Sequence, residues 1–296
     1  MTDRGIDVVR AHLATLPPSA SMTIAERRAQ YERAERVFPT PPDVVIEHVR
    51  APARSAEWLQ PPGTRTDAAV LYLHGGGYVI GSPRSHRHLA AAIARAAGTA
   101  ALVLDYRLAP EHPFPAALED ALAAYQWLLG RGLSPGRIVV AGDSAGGGLT
   151  VATLLTARDR GLPQAAAGVC ISPWVDLTCG GATYVTKAAV DPIVTRQSVS
   201  MMSEAYAGSD DRKAPLISPL YADLRGLPPL LVHVGSDEVL LDDALGLAER
   251  ARAAGVDVTL EEWPAMIHVW HWFLPMLAEA ERAVGVIGSF VRARIA

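Results

Sequence analysis

Cysteine is nearly absent. Two residues in 296, Cys170 and Cys179, cannot build a disulfide framework, and without a CxxC pair they offer no zinc site. Lysine is as rare, at Lys187 and Lys213 alone, so arginine carries almost all the positive charge. Neither sign dominates: 27 basic residues face 31 acidic ones, for a formal net charge of −4. This excludes a general attraction to nucleic acid or an anionic membrane surface. No apolar run approaches the roughly 18 residues of a membrane span. The opening Met1–Asp7 is polar and lacks the apolar stretch of a signal peptide. No internal repeat is visible. The expectation is a cytoplasmic globular protein.

Apolar residues are plentiful, at 50% of the chain, which is enough for a large core and too much for a disordered one. The stretch up to about Glu35 reads as helical, with Ser21 or Thr23 as its cap, and Phe38-Pro39-Thr40-Pro41-Pro42 ends it. A first strand follows around Val44–Val49. Short apolar runs then alternate with longer Ala/Leu-rich ones. Strands are expected at Ala69–Leu73, Ala100–Leu104, Ile138–Ala141, Ala167–Ile171, Leu230–Val234 and Val258–Glu261. Helices are expected at His86–Ala97, Pro115–Leu129, Ala145–Arg158, Asp242–Ala254 and Leu274–Arg294. The strands are continuously apolar, as befits strands buried on both faces. The alternation predicts an α/β fold: a mostly parallel sheet with helices on both faces. From about Cys179 to Asp223 the rhythm breaks. The expectation is one domain over residues 1–296, capped by about 1–40 and 179–223 above the carboxyl ends of the strands.

The strongest chemical signal is Gly142-Asp143-Ser144-Ala145-Gly146, which lies between a strand and a helix-forming run. A G-x-S-x-G turn in that setting lifts a serine hydroxyl above the sheet, and the helix that follows aims free amides at the site. His74-Gly75-Gly76-Gly77 directly follows an earlier strand, where glycines let a loop approach an oxyanion. A serine nucleophile needs a base, and the base an orienting carboxylate. Asp237 and His268 follow later strand ends in the required order. Asp237 competes with Glu238, Asp242 and Asp243 and is preferred as the nearest to its strand. His268 competes with His271, which falls at the start of the next helical run. Ser85-His86-Arg87-His88 lacks a nearby carboxylate and reads as a solvated helix start, not a metal site.

These motifs resemble the hormone-sensitive-lipase-like family of α/β-hydrolases, in its bacterial carboxylesterase branch. His74–Gly77 is similar to the family's HGGG motif and Gly142–Gly146 to its GDSAG motif. The segment Tyr106-Arg107-Leu108-Ala109-Pro110-Glu111-His112-Pro113-Phe114-Pro115-Ala116 resembles another long family signature. The resemblance runs from about Val45 to the C-terminus. It implies an α/β-hydrolase fold with a cap, Ser144, Asp237 and His268 as triad, and oxyanion donors at the amides of Gly76, Gly77 and Ala145. It departs from the family after the acid, where Glu238-Val239 replaces Pro-Leu, and after the base, where Val269-Trp270 replaces Gly-Phe.

The activity so implied is hydrolysis of small, short- to medium-chain carboxylic esters through an acyl-enzyme, with no metal or cofactor. A lactone hydrolase or amidase with the same triad is the alternative. A non-catalytic ligand receptor of the same fold is disfavoured by the presence of His268. Tyr78, Trp174 and Trp270 are candidate pocket residues, while Arg107, Glu111 and His112 read as a structural network. An exposed last strand would permit a homodimer.

Overall fold

A computed structural model describes residues 5–17, 22–52 and 54–295. Three helices come first: α1 (Ile6–Ala14), α2 (Ile24–Glu32) and α3 (Ala34–Val37). Thr23 caps α2 in a reciprocal box with Glu26, which satisfies two amides that helix geometry leaves without partners. Ser21, the other candidate cap, lies outside the described residues.

Among the described residues eight strands form one sheet: β1 (Val45–Ala51), β2 (Arg54–Gln60), β3 (Arg65–Leu73), β4 (Thr99–Leu104), β5 (Ile138–Asp143), β6 (Ala167–Ile171), β7 (Leu230–Gly235) and β8 (Val258–Trp263). Their order is β1-β2-β4-β3-β5-β6-β7-β8. Pairing is antiparallel across β1, β2 and β4 and parallel from β4 to β8. The sequence does not announce β2. Its Arg-Ser-Ala-Glu-Trp-Leu-Gln run lacks the apolar continuity of the central strands, because it pairs near the sheet edge and buries only part of its length.

The helices are α4 (Pro83–Ala97), α5 (Ala116–Gly130), α6 (Ala145–Asp159), α7 (Thr183–Thr186), α8 (Arg196–Ala207), α9 (Leu241–Ala253) and α10 (Ala278–Arg294). Alternate strand residues feed two cores. Leu71, Leu102, Val140 and Val232 pack with α5, α6 and α9. Val70, Val103, Val139 and Leu231 pack with α4 and α10 on the other face. A third cluster joins Val9 of α1 to Ile267, Trp270, Phe273 and Ala280. The expected α/β architecture is present, with every expected strand and helix found. α10 begins four residues later than expected, because Leu274–Met276 continue as a turn after the 3₁₀ turn at Trp270–Phe273 and Leu277 is extended.

The strand register positions the site. Leu73 lies opposite Gly142, Asp143 opposite Ile171, Ile171 opposite His233, and Gly235 opposite Trp263. The carboxyl ends of β3, β5, β6, β7 and β8 are therefore nearly level. The loops that leave them, carrying Gly75–Gly77, Ser144, Ser172, Glu238 and His268, emerge along one edge.

Candidate active site

Ser144 sits between β5 and α6 with φ +53° and ψ −120°, a strained conformation for a residue with a side chain. The turn is held from both sides. The Ser144 amide donates to the Ile171 carbonyl at 2.8 Å, and the Trp174 amide donates to the Ser144 carbonyl at 2.9 Å. Its tightness explains the flanking glycines. A Cβ on Gly146 would overlap the Leu73 carbonyl, and one on Gly142 would overlap the Gly146 carbonyl.

The Gly75–Gly77 loop is bolted to this turn by Asp143. The Asp143 carboxylate is buried and accepts from the Tyr72 hydroxyl at 2.7 Å and the Gly75 amide at 3.1 Å. The His86 imidazole stands 3.5 Å away. Burial works against the charge, but His86 and the Tyr72 hydroxyl outweigh it and hold the carboxyl below its ordinary pKa. His86 and His88 are thus buried inside α4, contrary to the expected solvated helix start, because α4 packs under the site with its histidine face inward. Among the described residues no cluster fits a metal ion. Gly76 and Gly77 both have positive φ, at +110° and +60°. Among the described residues, the amides of Gly76, Gly77 and Ala145 donate to no protein acceptor.

His268 is almost fully buried, and its Nδ1 lies 2.9 Å from Oε2 of Glu238. This corrects the expected acid. Asp237 points away from the imidazole, to Arg10 of α1 at 2.8 Å. The turn after β7 sends its consecutive side chains to opposite sides, so nearness to the strand end was a poor guide. Asp242 and Asp243 lie in the first turn of α9, as expected. Glu238 is completely buried, and its other oxygen accepts from the Gly235 amide at 2.6 Å and the Ser172 hydroxyl at 2.7 Å. Burial raises the Glu238 pKa, against the lowering effect of His268 and these donors. For His268, burial favours the neutral ring, yet the hydrogen bond and charge of Glu238 prevail and raise its pKa.

Ser172 escaped the sequence reading. Its hydroxyl donates to Glu238 and accepts from the Val269 amide at 3.1 Å, tying the acid to the histidine loop. The signal was faint: a serine directly after β6, at the level of Ser144. The rival base, His271, is fully buried with its Nε2 3.0 Å from Nδ1 of His233. Burial and the neighbouring His233 and His268 keep its pKa well below the ordinary value.

Of the expected pocket residues, Tyr78 follows the glycine loop and stacks on Tyr206 of α8 at 3.7 Å. Trp174 lies against the nucleophile turn, its amide donating to the Ser144 carbonyl. Trp270 is a correction. It is fully buried in the third core cluster, against His271 at 3.9 Å and Trp263 at 5.6 Å, and serves packing. Arg107 pairs with Asp120 at 2.8 Å, and Glu111 with Arg28 of α2 at 2.7 Å. The Tyr106 hydroxyl donates to the His74 carbonyl at 2.6 Å.

A family model described as alpha/beta hydrolase fold matches residues 70–272. An acetyl-hydrolase of Streptomyces hygroscopicus is 51% identical over 274 residues, covering 91% of this chain and 90% of that one. A crystal structure of an esterase from the bacterial hormone-sensitive lipase family superposes with a TM-score of 0.94 at 50% identity, covering 98% and 97% of the two chains. The esterase EstE5, in a crystal soaked with p-nitrophenyl butyrate, gives 0.94 at 46% identity and 98% coverage of both. With the glycine loop, the nucleophile turn and the buried acid–base pair on one sheet edge, this chain belongs to the hormone-sensitive-lipase-like family of α/β-hydrolases.

Proposed function

We propose that carboxylic ester hydrolysis, the activity of this family, is carried out here by Ser144, His268 and Glu238. Ser144 attacks the ester carbonyl while His268 takes its proton. Glu238 holds the ring through Nδ1 and stabilises the imidazolium. The amides of Gly76, Gly77 and Ala145 receive the oxyanion, aided by the positive end of α6. His268 then protonates the departing alcohol and activates the water that releases the acid. The observation that carries this reading is the 2.9 Å contact between buried His268 and buried Glu238 beside the Ser144 turn. No step calls for a metal or cofactor.

Substrates are small, uncharged esters with short to medium acyl chains. Two relatives support this, one an acetyl-hydrolase and the other, EstE5, soaked in the crystal with p-nitrophenyl butyrate. A cap made from about residues 1–40 and 179–223 encloses the site. Its support is Arg28 of α2 donating to the Val79 carbonyl at 2.8 Å, and Met202 of α8 lying where a Cβ on Gly77 would stand. Tyr78 and Trp174 back the wall of the pocket. No helix among the described residues is long and apolar enough to cross a membrane, and we place the enzyme in the cytoplasm. Pairing of two copies through the free edge of β8 would give a homodimer.

The test is a panel of p-nitrophenyl esters and lactones with organophosphate labelling. Stoichiometric labelling of Ser144 and faster turnover of short esters than of lactones are expected. Turnover that survives complete labelling of Ser144 would overturn the assignment.

A further inference from the structure

Asp237 and Val239 flank Glu238, and each is held by a different part of the 179–223 segment or of α1. Arg10 of α1 donates through Nη2 to the Asp237 carboxylate at 2.8 Å and through Nη1 to the Val190 carbonyl at 2.8 Å. The next residue, Asp191, is buried and accepts from the Val239 amide at 2.9 Å. It also accepts from the amides of Ile193 and Val194 at 2.9 Å each, which fixes the local turn. The apolar stripe of α1 meanwhile rests on the histidine loop: Val9 is fully buried among Met266, Ile267 and Trp270, with Ile6 and Leu13 beside it. One short helix therefore touches the insertion, the acid loop and the base loop.

These contacts divide the labour of two adjacent carboxylates. Glu238 is completely buried on His268. The Asp237 side chain is 25% exposed and the Arg10 side chain 30% exposed, so their ion pair lies at the rim, where solvent can compete for it. A rim pair that joins α1 to the acid loop is suited to form and break without disturbing the buried pair behind it. We propose that Arg10 and Asp237 form the latch that closes the cap over the site, with Arg10 as a positioning residue acting through the acid loop. The proposal rests on the reading of Glu238 as acid and of residues 1–40 and 179–223 as cap. Substrate enclosed by the latched cap is held longer beside Ser144. The latch governs KM, and the reacting atoms do not touch it.

The experiment compares Arg10→Ala, Asp237→Asn, the double variant and the charge exchange Arg10→Asp/Asp237→Arg, with Glu238→Gln in the same assay. p-Nitrophenyl acetate and butyrate are the probes, and limited proteolysis between residues 186 and 196 reports cap docking without activity. Breaking one rim ion pair is expected to raise KM about three- to fivefold. The kcat should stay within about twofold, since the transition-state contacts remain. The double variant should be no worse than Arg10→Ala alone, and cleavage should speed up in all three. The charge exchange should recover part of KM and of the protection, since the Val190 carbonyl loses its donor, and high salt should raise KM in the wild type and the exchange variant alone. Unchanged KM and cleavage, or additive losses in the double variant, would overturn the latch. A collapse of kcat in Asp237→Asn with Glu238→Gln active would instead overturn the acid assignment on which it rests.

Discussion

Asp237 and Glu238 carry the same charge one residue apart, and their surroundings alone separate them. Glu238 is dry, accepts three hydrogen bonds and faces His268, while Asp237 faces Arg10 near solvent. Replacing Glu238 with Gln keeps the shape and removes the charge, so kcat should fall by about 10²- to 10⁴-fold, as for a triad acid. Steady-state kinetics beside Asp237→Asn, whose kcat should hold, checks this. Ser144→Ala should cost about 10³-fold or more with an unchanged melting curve. The pH profile has a definite sign. His268 must be neutral to accept a proton, and its pKa lies above 6.5 because Glu238 outweighs burial. Activity should rise with pH through a pKa above that value. In Glu238→Gln the counter-charge is gone and burial dominates, so the acidic limb should move to lower pH as the plateau drops. A limb that moved upward would contradict the pairing. Ser172→Ala removes a hydrogen bond to a buried charge, and about a tenfold loss in kcat is expected.

The elements place these residues by register and close approach. The strand ends are level because β3 to β8 pair in parallel with little offset, so loops distant in sequence emerge side by side. The glycine loop is the element most sensitive to one added carbon. A Cβ on Gly76 would overlap the Ile80 carbonyl at a φ of +110°. Gly76→Ala should displace the oxyanion amides and lower kcat about 10²- to 10³-fold, the scale of one lost donor. The check is kcat together with a thermal melt, which should move far less than the rate. These elements were legible because buried parallel strands must be apolar throughout and their helices amphipathic. The edge strand β2 was not, since its side chains are only partly buried and its pattern is correspondingly mixed. The 3₁₀ turn at Trp270–Phe273 was hidden in the same way: His271 read as the start of a helical run, but the turn's aromatics fill the cluster under α1.

At the scale of the molecule, the N-terminal helices and the 179–223 insertion meet the sheet along its carboxyl edge. Tyr31 of α2 stacks on Trp272 at 5.1 Å, Arg28 reaches the Val79 carbonyl, and α8 lays Tyr206 on Tyr78. Deleting the first 35 residues should therefore expose apolar surface and open the pocket. Acyl-length preference should change and KM should rise more than kcat falls, with poorer solubility as the accompanying cost. A soluble truncation with the acyl preference and KM of the full chain would show that these helices do not enclose the substrate.

The sequence by itself determined the parallel strands of the sheet, its helical faces, the nucleophile turn and the glycine loop. Each is written in contiguous residues whose apolar period or backbone demand has few other solutions. It also narrowed the base to two histidines. The tertiary structure set Glu238 on His268 and Asp237 on Arg10, brought Ser172 to Glu238, buried Trp270 in the core, and turned His86 inward onto Asp143. Those outcomes depend on where a side chain points after a turn and on which distant loop meets it. Neither is encoded in a local pattern, because a one-residue change in direction alters every partner while the motif stays the same.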